Sequence, residues 1–168
     1  MKKLFYFSVI FSVCMLSCKK ESNPAPAPPQ ITFGSFTTTN DISARITLNF
    51  KDNDGDIGYE EAQQDNTNYD FYMRYYYEDT VTAGVYHTYY YHASNDPLSD
   101  SNIYVYHIPY VTNNIKTKSL DGQIIIDLNG YKPASTKMLN SFRYNIWIYD
   151  RARHQSNVIT TPGFHTSY

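Results

Sequence analysis

The chain has 168 residues, with 14 Lys and Arg against 16 Asp and Glu and a formal net charge of −2. That mild acidic balance argues against nucleic acid as a partner, because such binding is driven by a basic surface that releases counterions from phosphate. The 17% aromatic content, including 18 Tyr, excludes a disordered or low-complexity chain, which lacks the apolar surface to order itself.

Met1-Lys2-Lys3 and the apolar run from Leu4 to Leu16 form the charged and apolar regions of an export signal. The run is too short for a stable membrane span. It closes on Leu16-Ser17-Cys18, which resembles the lipobox of bacterial lipoproteins. The resemblance implies that residues 1–17 are a lipoprotein signal peptide and that Cys18 becomes the lipidated N-terminus. Anchoring by several acyl chains is then stable, at about 0.8 kcal/mol per buried CH₂. Cys14 leaves with the signal and Cys18 carries lipid, so no thiol remains for a disulfide, a zinc site or a nucleophile. Loss of Lys2 and Lys3 leaves 12 basic against 16 acidic residues, a net charge of −4.

Residues 18–30 hold the alternating prolines of Pro24-Ala25-Pro26-Ala27-Pro28-Pro29. They favour extended polyproline II, a semi-rigid tether of about 3.1 Å per residue. Lys at position 19, by resemblance to the usual lipoprotein sorting rule, implies the outer membrane, on its periplasmic or its cell-surface side.

Residues 31–168 suffice for one domain. Period-two alternation bounded by Asn, Asp, Gly, Ser and Pro recurs throughout, and no convincing helical period appears. Ile42, Ala44, Ile46, Leu48 and Phe50 alternate with polar residues and predict a strand that runs into an acidic loop. Further strands are expected over 69–77, 85–92, 103–108, 123–128, 142–149 and 158–161. Asp121-Gly122 reads as a turn, and 132–141 as a connection. Seven or more short strands without helices predict an all-β, antiparallel β-sandwich.

The densest chemical signal is Asp52-Asn53-Asp54-Gly55-Asp56-Ile57-Gly58. Carboxylates at alternate positions of a bending backbone can aim several hard oxygens at one point, which suits Ca²⁺. The loop is not an EF-hand, because Ile57 stands at the invariant-glycine position and Gln63 at that of the bidentate Glu. Glu60 and Glu61 are candidates for the missing carboxylate. The competing reading is an ordinary solvated Asp/Asn/Gly turn.

Tyr144-Asn145-Ile146-Trp147-Ile148-Tyr149-Asp150, followed by a turn that ends in Ser156-Asn157, resembles the closing hairpin of immunoglobulin-like and fibronectin III-like modules. Together with the lipobox, the proline tether and the acidic loop, it resembles a group of uncharacterised Bacteroidota-type lipoproteins. Arg153-His154 replaces the usual Gly-Asn of that hairpin, so a tight glycine turn is not assumed. In immunoglobulin strand order the acidic loop and the loop opened by Asp150 share one end of the sandwich. The resemblance therefore implies a metal set of Asp52, Asp54, Asp56 and Asp150, with His154 close by.

The same order puts Tyr72, Arg74, Tyr76, Arg143, Trp147 and Tyr149 on one outward face. Such a face suits stacking on sugar rings or a protein anchor; the alternative is aromatic pairing that only stabilises the sheet. The five His show no metal spacing, and no catalytic motif stands out. The expected function is non-enzymatic: a lipid-anchored cell-envelope binding or structural domain with Ca²⁺ as its cofactor. The alternative is a glycan-binding accessory module that uses Tyr72, Tyr76, Trp147 and Tyr149.

Overall fold

A computed structural model describes residues 27–39, 43–65, 67–79, 81–88, 103–111, 119–129 and 141–165. Cys18, residues 89–92 and most of the 132–141 connection lie outside them. Nine strands are present among the described residues: β1 (Gln30–Thr38), β2 (Ser43–Asp52), β3 (Phe71–Glu78), β4 (Tyr86–Thr88), β5 (Ile103–Tyr106), β6 (Leu120–Asn129), β7 (Ser141–Ile148), β8 (Ile159–Thr160) and β9 (Phe164–His165). The single helical element among them is a 3₁₀ turn, Glu61–Gln63.

The strands form two antiparallel sheets. The first has the order β1-β2-β6. In the second, β3 pairs with β7 from Phe71 to Tyr77, while β4 and β5 share its other side and β8 and β9 share the far side of β7. The protein is an all-β antiparallel sandwich, as the alternation predicts.

Alternation explains which residues meet between the sheets. Ala44, Ile46 and Leu48 of β2 are buried, as are Phe71, Met73 and Tyr75 of β3 and Phe142, Tyr144, Ile146 and Ile148 of β7. Burying each large apolar side chain contributes about 1.5–3 kcal/mol. Rings join the two layers: Phe36 of β1 stacks on Phe164 of β9 at 4.1 Å and meets Phe142 edge-on at 5.9 Å.

Three departures from the sequence reading have local causes. β1 escapes a period-two search because its register shifts between Phe33 and Ser35, so Ile31 and Phe33 fall on one parity and Phe36 on the other. Gly34 sits at that shift, where a Cβ would lie 2.8 Å from the Thr47 carbonyl oxygen. Asp121-Gly122 is not a turn but lies within β6, paired with Lys51 and Phe50. The Phe50 ring covers Gly122, and an added Cβ would lie 3.0 Å from it, so glycine here serves close packing. The expected last strand is reduced to β8, and β9 follows as a separate two-residue strand.

Candidate metal centre

The acidic loop begins where β2 ends. Asp52 is the last residue of that strand and is fully buried, and its Oδ2 accepts a hydrogen bond from the Asp56 amide at 2.8 Å. This bond folds the loop back on its own first carboxylate. Gly55 makes the bend with φ +70°, a left-handed conformation that suits glycine. Ile57 is fully buried and pins the loop to the core. Gly58, at φ +77°, presses on the next segment: a Cβ there would lie 2.6 Å from the Pro109 carbonyl oxygen and 2.8 Å from that of Ile108.

This anchoring turns three carboxylates inward together. Asp52, Asp54 and Asp56 each offer an oxygen within 4.8 Å of the other two. The Oδ1 atoms of all three are buried and have no hydrogen-bond partner. Buried acceptors are almost always satisfied, and leaving one unmade costs about 1–3 kcal/mol, more when it is charged. Burial, then the adjacent Asp54, raises the Asp52 carboxyl from 3.8 to about 7. Asp56 is also raised, by burial and then by the charges of Asp150 and Asp54.

The donor set fits a hard cation. Oxygens that share one Ca²⁺ at about 2.3–2.6 Å lie no more than ~5 Å apart, and the three converging carboxylates meet that limit. A shared cation would also supply the partner that each buried Oδ1 lacks.

The second loop packs directly on the first. The Arg151 amide donates to the Asp56 carbonyl at 3.0 Å, and the Ala152 amide reaches Asp56 Oδ2 at 3.3 Å. Asp150 is fully buried and close enough to raise Asp56, yet it stands outside the converging triad. Its Oδ1 accepts from the His154 amide at 2.7 Å, and its Oδ2 contacts His154 Nδ1 at 2.8 Å. Asp150 thus caps its own turn, and the hydrogen bond to it raises the His154 imidazole. Glu60 and Glu61 are exposed at the 3₁₀ turn and do not join the triad.

The aromatic residues share a face because β3 and β7 pair Tyr72 with Trp147 and Tyr76 with Arg143. Tyr72 and Trp147 stack with centroids 5.4 Å apart and planes inclined by 6°, and Tyr149 meets Tyr72 edge-on at 5.5 Å. Arg153 lies over Tyr149 at 4.3 Å. It takes the left-handed turn position at φ +66° that a glycine would normally occupy.

Sequence reasoning missed Asp70. It is fully buried at the start of β3, accepts from the Ile108 amide through Oδ1 at 2.7 Å, and leaves Oδ2 without a partner. Burial raises its carboxyl to about 6, with the Ile108 amide and His107 opposing the shift. In sequence it is one more polar residue within the alternating stretch expected over 69–77, and nothing in that pattern marks it as buried.

Comparison with known protein families, curated proteins and solved structures finds no match. The functional reading therefore rests on the chemistry of these two sites.

Proposed function

We propose that this chain is a lipid-anchored, non-enzymatic binding or structural domain of the cell envelope, with Ca²⁺ stiffening one loop end. The carrying observation is the convergence of three buried, unpartnered Oδ1 atoms from Asp52, Asp54 and Asp56. Asp150 supports this set from the adjoining loop, through its charge beside Asp56 and its grip on His154. The lipobox at Cys18 and the proline tether support an outer-membrane lipoprotein whose domain works at a distance from the bilayer. The sheet order β1-β2-β6 against β3-β7 and their flanking strands supports kinship with immunoglobulin-like modules.

A thermal melt of the full chain in non-ionic detergent, with Ca²⁺ and with chelator, tests the cation site. Ligand at about 100 times its dissociation constant adds about 2.7 kcal/mol of stability. Asp54→Asn should abolish most of that gain. Identical melting curves with and without Ca²⁺, for wild type and variant alike, would sink the reading.

A second reading, a glycan-binding accessory module, is favoured by one observation. A groove of about 330 Å³ on the outer face of the second sheet is lined by Trp147, Tyr149 and Tyr76, with Arg74, Asn145 and Gln155 among its polar groups. Planar aromatic surface beside amide and guanidinium donors suits sugar rings.

A further inference from the structure

We propose that the outer face of the second sheet, with Arg74 lining this groove and Arg143 and Arg153 lying beyond it, selects acidic saccharides, chains bearing uronate carboxylates, over neutral ones. The inference rests on the glycan reading above and names its ligand class.

The register dictates the pattern. Outward rows across β3 and β7 read Tyr72 with Trp147, then Arg74 with Asn145, then Tyr76 with Arg143. Successive rows are about 7 Å apart, two residues of strand rise. Arg153 extends the series beyond Trp147, because it lies over Tyr149. Cations therefore recur along the face between aromatic rings.

The rings hold the guanidiniums in place. Arg143 lies 3.9 Å from the Tyr86 centroid and 6.0 Å from that of Tyr76, and Arg74 is 5.8 Å from that of Trp147. Neither Arg143 nor Arg153 makes a salt bridge with a carboxylate among the described residues. A guanidinium ordered on an aromatic ring holds its remaining donors in one plane, which suits a carboxylate. The whole chain is acidic, so this basic row is a local feature. Arg153 carries the strongest sign of purpose: a non-glycine residue is held at φ +66° while its Nη1 donates to the Tyr69 carbonyl at 2.7 Å. Strain of that kind persists where the surroundings need the side chain.

Trp147 is the only tryptophan of the chain and lines the groove, so its fluorescence reports on occupancy. The full chain in non-ionic detergent is titrated with a galacturonic acid hexamer, a neutral galactose hexamer and single-stranded oligo-dT. Fluorescence and calorimetry are both read. The acidic hexamer should perturb Trp147 and bind about tenfold or more tighter than the neutral one, and its binding should weaken as salt rises. Arg143→Gln should erase most of that preference with the melting temperature kept. Arg153→Gln, at the other end of the row, serves if the first variant does not fold. Equal binding of the two hexamers overturns the acidic selectivity and leaves the glycan reading standing. No binding of either overturns both. Tighter binding of oligo-dT assigns the face to stacked bases and overturns the proposal.

Discussion

The Arg151 amide donates to the Asp56 carbonyl at 3.0 Å, across a sequence separation that spans most of the domain. Through this bond the acidic loop after β2 and the hairpin loop after β7 form one unit. The same hairpin loop carries Arg153, which lies over Tyr149 at the edge of the aromatic face. Order at the triad is thereby linked to order at the edge of the aromatic face.

The first prediction concerns pH in the presence of chelator. Asp52 has an ordinary carboxyl pKa of 3.8 and is raised in the fold to about 7. Between these values the folded chain keeps a proton that the unfolded chain releases, so stability falls as pH rises from ~4 to ~7 and levels off above. Each pKa unit corresponds to about 1.4 kcal/mol. Ca²⁺ binds the deprotonated carboxylates, so the stability it adds should grow with pH over the same range. Thermal melts across this range, with and without Ca²⁺, should show the two opposite slopes. A chelated protein that gains stability over the range would contradict the burial of Asp52.

Asp70 supplies a second slope that Ca²⁺ should not touch. Its carboxyl is raised to about 6 by burial, and it joins the Ile108 amide to the start of β3. Wild-type stability should therefore drop between pH ~4 and ~6 by an amount on the order of 2–3 kcal/mol. Asp70→Asn keeps an oxygen for the Ile108 amide and removes the charge. The variant should lose this part of the pH dependence and equal or exceed wild type near neutrality. Denaturant titrations at both ends of the range compare the two proteins; parallel pH profiles would show that Asp70 does not titrate as its burial requires.

Much of the scaffold was legible because alternation has a simple physical cause. β2, β3 and β7 each bury one face, and that face shows as every second residue in sequence. The signal failed where geometry interrupts it: at the bulge around Gly34, at Gly122 under the Phe50 ring, and in β9, which is only two residues long. The Asp52-Asp54-Asp56 spacing pointed to converging oxygens. It gave no indication that His154 occupies both oxygens of Asp150, or that Asp70 is buried, because both depend on contacts between distant segments. The left-handed Arg153 was equally hidden, since the residue type itself argues against that conformation.

Two glycines with nearly the same backbone angle should respond differently to alanine. Gly58 has φ +77° and faces the Pro109 and Ile108 carbonyls, while Gly84 has φ +81° with nothing within 4 Å of an added Cβ. Gly84→Ala should cost only the left-handed penalty, about 1–2 kcal/mol. Gly58→Ala adds a clash with backbone that cannot rotate away, so its cost should exceed that of Gly84→Ala by about 1–3 kcal/mol. It should also weaken Ca²⁺ binding, because Gly58 sets the seat of the acidic loop. Equal losses for the two variants in denaturant unfolding would show that the 57–59 segment moves freely away from 108–109.

Arg153 separates strain from side-chain purpose. Its φ of +66° costs about 1–2 kcal/mol relative to glycine. In return the guanidinium lies 4.3 Å from the Tyr149 centroid and donates to the Tyr69 carbonyl. A cation–π contact contributes about 0.5–1 kcal/mol at such an exposed site and a hydrogen bond about 0.5–1.5 kcal/mol. These gains and the strain nearly cancel, so Arg153→Gly should leave stability within about 1 kcal/mol of wild type. Arg153→Ala keeps the strain and loses both contacts, and should be less stable than Arg153→Gly by about 1 kcal/mol. If the glycine variant is as stable as wild type and also binds the acidic hexamer equally well, the arginine is dispensable at this turn. Retained stability with weakened binding would instead assign the strained residue to the binding face.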